Sequence, residues 1–119
     1  MTLDTFYASV GGDCAQVLDR LPSEALVRRF LGKFPADPSY AECKAALTAG
    51  DLATAFRAAH TLKGTAANLG LDALTAAASA LTEALRPANT MPEVSLVSAM
   101  DEAYALTITQ LAKLNGEAE

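Results

Sequence analysis

The chain has 119 residues, is 51% hydrophobic but only 6% aromatic, lacks tryptophan, and carries a formal net charge of −5. This length suits one domain with a single core, and the acidic balance argues against nucleic-acid binding, which needs a basic face. Met1 to Val10 shows no signal-peptide pattern, and the alanine-rich Thr65–Leu85 stretch is too broken by Asp72, Glu83 and small polar residues to span a bilayer.

Gly11-Gly12 separates a short N-terminal segment from a stretch beginning at Asp13. Cys14 and Cys43 are isolated, too few for a disulfide scaffold or a zinc site, and read as buried free thiols. Leu21-Pro22-Ser23 breaks the chain, and Ser23 can cap a helix over about Glu24 to Phe34. Its apolar residues Leu26, Val27, Phe30, Leu31 and Phe34 recur at helical spacing. Asp37-Pro38 pairs a capping residue with proline at the first helical position and opens a helix ending at Gly50. Asp51 caps the next helix, which runs to Gly70. Asp72 is expected to cap another, ending at Arg86-Pro87. Thr90 and Glu93 stand at capping-box spacing before a last helix with an apolar stripe of Val97, Tyr104, Ile108 and Leu111.

No run alternates with period two. The expected fold is all-α: an antiparallel four-helix bundle with additional short N-terminal helices. A single domain over residues 1–119 is expected, with its core at about 13–115.

The helix from Asp51 to Gly70 carries the chemistry. On a wheel of about 100° per residue, Leu52, Ala55, Ala59, Leu62, Ala66 and Leu69 fall opposite His60 and form the core stripe. His60, the only histidine, therefore points to solvent, surrounded by Ala53, Phe56, Arg57, Lys63, Gly64 and Ala67. Lys63 lies one turn further on. Gly64 sits in mid-helix, where glycine costs about 1 kcal/mol relative to alanine. Because it lies off the core stripe, close packing within the bundle does not explain it, whereas room for an approaching molecule does. Ala53 and Ala67 extend that clearing, and Phe56 is expected either to add an exposed apolar contact or to cover the core edge. Asn68 lies near the edge of the same face.

The stretch His60-Thr61-Leu62-Lys63-Gly64-Thr65-Ala66-Ala67-Asn68-Leu69-Gly70 resembles the signature of histidine-containing phosphotransfer (HPt) domains. That pattern is a histidine, a lysine-glycine pair three and four residues later, and a glycine about ten residues on. The resemblance implies a phosphorelay protein of two-component signalling, with His60 as phosphoacceptor and response-regulator receiver domains as partners. A hybrid sensor histidine kinase is a further implied partner. The chain itself is expected to bind no cofactor or metal, magnesium being supplied by the receiver. An ordinary imidazole has a pKa of about 6.5 and is mostly neutral at pH 7, so a ring nitrogen can attack phosphorus. Phosphoryl transfer then depends on in-line positioning and charge stabilisation. Lys63 would meet the phosphoryl oxygens, Gly64 would admit the receiver, and Phe56, Ala53 and Ala67 would dock its apolar surface. Arg57 and Asn68 are candidate receiver contacts, with a solvated surface role as the alternative for each.

The competing reading is a helical adaptor without covalent chemistry, in which His60 is incidental. The dimerising hairpin of a sensor kinase is disfavoured: Thr61, not an acidic residue, follows His60, no proline follows before Pro87, and there is no glycine-rich nucleotide-binding region. The expectation is a cytoplasmic, monomeric phosphocarrier rather than an enzyme, with no membrane or nucleic-acid partner. The initiating Met1 suggests a free-standing protein.

Overall fold

Local caps set most of the helix boundaries. The computed structural model describes residues 1–116, which contain α1 (Leu3–Ser9), α2 (Cys14–Arg20), α3 (Glu24–Lys33), a 3-10 turn (Phe34–Ala36), α4 (Ser39–Ala49), α5 (Leu52–Asn68), α6 (Asp72–Leu85) and α7 (Val94–Gly116). No strand occurs among the described residues. The end of the domain expected over 1–119, residues 117–119, lies outside them.

Side-chain oxygens of Thr2, Asp13, Ser23 and Asp51 accept backbone N–H groups in the first turns of α1, α2, α3 and α5. This satisfies donors that helix geometry leaves unpaired. At α4 the expectation shifts by one residue: Pro38 is the cap position rather than the first helical residue, and Asp37 before it accepts from the Ser39 N–H at 2.8 Å. At the other end of α4, Gly50 takes the left-handed conformation (φ 74°). The Asp51 N–H then reaches the Ala46 carbonyl at 2.9 Å, closing a Schellman turn. Asp51 thus ends one helix through its backbone and starts the next through its side chain.

Two further expected caps are corrected. Asp72 is not the cap of α6 but its first residue. The α5 end closes by the same Schellman turn, with Gly70 at φ 73° and the Leu71 N–H bonded to the Ala66 carbonyl at 2.9 Å. Leu71 follows at once as the cap position, its carbonyl accepting from the Thr75 N–H, with no side-chain cap. Thr90 does not cap α7. The proline at 92 disfavours helical backbone at Met91, the helix begins at Val94, and the Thr90 hydroxyl donates to the Asn89 side chain instead.

Helices α4 to α7 form the antiparallel four-helix bundle, with α5 packed between α4 and α6 and α6 against α7. Ala55, Ala59, Leu62 and Ala66 of α5 are fully buried, as are Leu74, Ala78, Leu81 and Leu85 of α6. Small side chains on α5 let its neighbours approach closely. Side chains close the bundle between α4 and α7: Asp101 accepts from the Tyr40 hydroxyl and from Lys44, both at 2.7 Å, and the Tyr40 and Tyr104 rings stack at 3.8 Å.

The short N-terminal helices cover the far end of α5. Phe6, Tyr7, Val10 and Val17 enter the common core. The Ala73 N–H donates to the Val10 carbonyl at 3.1 Å. Both cysteines are buried free thiols, as expected. Burial pushes the Cys43 thiol up to about 11 and also raises that of Cys14, so neither is a thiolate at neutral pH. Among the described residues no helix is long and apolar enough to cross a membrane.

Candidate functional site

The packing of α5 dictates what its outer face can present. With Ala55, Ala59, Leu62 and Ala66 committed to the core, the helical period turns His60 outward, and its side chain is exposed. It lines a shallow depression of about 260 Å³ with Phe56, Arg57 and Thr61. The Phe56 and His60 ring centroids are 6.1 Å apart.

Ala53, Arg57, Gly64 and Ala67 are exposed and Lys63 is half-buried. Around Gly64 the space is open: a Cβ built there would meet nothing within 4 Å. The glycine is therefore not required by packing inside the chain. Arg57 donates to the Thr54 hydroxyl at 3.1 Å, and Thr54 donates to Asp51 at 2.6 Å, so a short polar chain runs from the α5 cap toward the site. The Thr54 side-chain and backbone hydrogen bonds hold the Asp51 carboxyl below its ordinary value.

Phe56 takes the second of its two expected places, at the core edge. It is half-buried and packs on the core rather than standing free. The Arg86 guanidinium, from the end of α6, lies over its ring at 5.3 Å. The arrangement is a cation–π stack.

Asn68 is exposed but is not brought beside His60. It lies eight residues further on, about 12 Å along the helix at 1.5 Å per residue. There it lines a separate cleft of about 490 Å³ with Phe30, Lys33 and Phe34. Arg20 donates to the Ala67 and Asn68 carbonyls at 3.3 and 3.4 Å, satisfying the end of α5.

Sequence reading missed Glu83 and Arg86. Arg86 donates to Glu83 from Nε at 3.2 Å and from its terminal nitrogen at 2.7 Å, a two-pronged pair. Arg86 holds the Glu83 carboxyl below its usual value by hydrogen bond and charge, and Lys63 and His60 add smaller pulls in the same direction. Glu83 therefore lies within the electrostatic reach of the α5 face that carries His60 and Lys63. The only sequence signal for the pair was its i,i+3 spacing on α6; nothing in it indicated proximity to His60.

Among the described residues, no group of three or more His, Cys, Asp or Glu side chains could hold a metal ion. Chemically, the site offers one accessible imidazole in mid-helix, three nearby cations (Arg57, Lys63 and Arg86) and a clearing beside them. Among the described residues, no titratable group is in hydrogen-bond contact with the imidazole.

A family model, the Hpt domain, matches residues 25–113, from the start of α3 to the last turn of α7. Comparison with curated proteins and with solved structures gave no match.

Proposed function

The chain belongs to the Hpt domain family, a family of phosphotransfer-type signalling domains, and we propose that it accepts and donates a phosphoryl group on His60 within a multistep phosphorelay. The observation that carries this reading is the exposed imidazole in mid-α5, with Lys63 one turn away and open space at Gly64. The partners are receiver domains bearing an aspartyl phosphate, with a hybrid sensor kinase upstream. The magnesium belongs to the receiver. The chain acts as one domain, a monomeric phosphocarrier in the cytoplasm without autonomous catalysis.

The lone pair of a neutral ring nitrogen of His60 forms the N–P bond. The P–O bond of the acyl phosphate breaks, and its electron pair leaves with the aspartate carboxylate. The proton on the other ring nitrogen stays where it is. Lys63 and Arg86 meet the phosphoryl oxygens as cations, and Gly64 leaves the receiver an unobstructed approach. Ala53, Ala67 and the open edge of Phe56 form the apolar part of the docking face, with Arg57 at its side and Asn68 at its periphery. Rigid placement of His60 follows from the buried alanine and leucine stripe on the opposite side of α5, which fixes the backbone beneath it.

The test is transfer of label from a phosphorylated receiver domain in the presence of magnesium. The reading expects label on His60, and a chain that takes none from any receiver of its own cell would overturn it in favour of a non-covalent adaptor.

A further inference from the structure

A carboxylate beside a histidine meant to hold a phosphoryl group is an electrostatic liability. Glu83 nevertheless shares the local field of His60 and Lys63. It is not loose there: its two oxygens engage the Arg86 guanidinium, which rests on the Phe56 ring beside His60. The Glu83–Arg86 pair is exposed, each side chain at 57%. It is therefore weak enough to exchange partners. A phosphoryl group offers more charge and three acceptor oxygens in place of two, and guanidinium binds phosphate in the same forked geometry.

We infer that Glu83 is a resident counter-anion for Arg86, holding the guanidinium on Phe56 while His60 is bare and yielding it to the phosphoryl oxygens once His60 is modified. The pair thereby sets how much phosphohistidine is present at equilibrium. Without Glu83, Arg86 would be permanently available and the phosphorylated state would be favoured. With it, part of the Arg86–phosphoryl attraction is offset by the lost Glu83 contact, which keeps the phosphoryl group easy to pass on. Glu83 is a positioning residue acting through Arg86. The inference rests on the phosphotransfer reading of His60.

The experiment uses phosphoramidate as donor, so that no receiver is needed. In this step the His60 nitrogen forms the N–P bond, the P–N bond of phosphoramidate breaks, and its electron pair leaves with ammonia. Phosphohistidine is read by 31P NMR at a fixed ratio of phosphoramidate to ammonia, and the Arg86 Nε–H resonance is followed in the same samples. The Arg86 signal should move when His60 is phosphorylated. Glu83→Gln should shift that signal before phosphorylation and raise the ratio of phosphorylated to free His60 by about two- to five-fold, the size of one exposed ion-pair contact. Arg86→Gln should lower the ratio. Phosphorylation of His60 with an unmoved Arg86 signal, or an unchanged ratio in Glu83→Gln, would overturn this inference alone. A wild-type chain that takes no phosphoryl group on His60 would overturn it together with the functional reading.

Discussion

The Tyr7 hydroxyl donates to the Leu69 carbonyl at 2.7 Å, joining the first helix of the chain to the end of the helix that carries His60. The bond is buried, and burial holds the Tyr7 phenol well above its usual range. It satisfies one of the carbonyls that an α-helix leaves open at its C-terminus. Tyr7→Phe would remove the donor and leave that acceptor without its partner. The expected loss is about 1–2 kcal/mol of unfolding free energy by urea titration, with phosphorylation of His60 unchanged.

Two glycines should respond in opposite ways to the same substitution. At Gly64 a Cβ meets open space, so Gly64→Ala should stabilise the chain by up to about 1 kcal/mol through helix propensity. At Gly12 a Cβ would collide with the Gly70 carbonyl oxygen, where the two inter-helix turns touch. Gly12→Ala should cost about 1–3 kcal/mol. Gly64→Leu should fold but slow transfer by blocking the receiver, read as a rise in KM for the phosphorylated receiver.

Acid stability should depend on Asp101. Burial pushes its carboxyl up, but hydrogen bonds from Lys44 and Tyr40 together outweigh this and hold it below its ordinary value. A folded-state value below the unfolded one means that the stabilisation is complete above the unfolded pKa of about 3.9. It is lost as pH falls through the lower folded value. The Asp101 and Lys44 side chains are 35% and 38% exposed, so solvent screening limits the contribution to about 1 kcal/mol or less. Asp101→Asn should lower stability at pH 7 and flatten its fall as the pH drops below about 4. Thermal melts across that range check it.

Lys63 should matter for transfer and not for folding. Lys63→Ala should slow transfer from a phosphorylated receiver by about two- to five-fold, and Lys63→Glu should slow it further by placing like charge beside the phosphoryl group. Raising the salt should narrow the differences. Equal rates for all three at low salt would reduce Lys63 to a solvated surface residue.

How much of this was legible in the sequence depends on how local each cause is. His60, Lys63 and Gly64 lie within one and a half turns of a helix whose apolar stripe is plain, so their shared face could be read from spacing. Ser23 and Asp51 were legible as caps for the same reason, whereas at α4 the cap position falls on Pro38, one residue later than expected. Asp72 misled because the turn at Gly70 closes so tightly that Leu71 serves both helices. Thr90 misled because capping-box spacing is not sufficient when a proline intervenes at 92. Wheel geometry leaves Phe56 either exposed or at the core edge, and packing on the core with Arg86 over its ring decides for the edge. The Glu83–Arg86 pair beside His60 is a product of α5 packing against α6. The Tyr7–Leu69 bond spans 62 positions. Neither contact leaves a local pattern to read.

The central claim is that His60 carries the phosphoryl group, and the most direct measurement compares wild type with His60→Gln after incubation with a phosphorylated receiver and magnesium. Because His60 is exposed and makes no core contact, the variant should retain the wild-type circular dichroism spectrum and melting temperature. Wild type should acquire phosphate that acid removes and alkali does not, the behaviour of a phosphoramidate, and His60→Gln should acquire none. A folded His60→Gln chain labelled to the wild-type level would contradict the account.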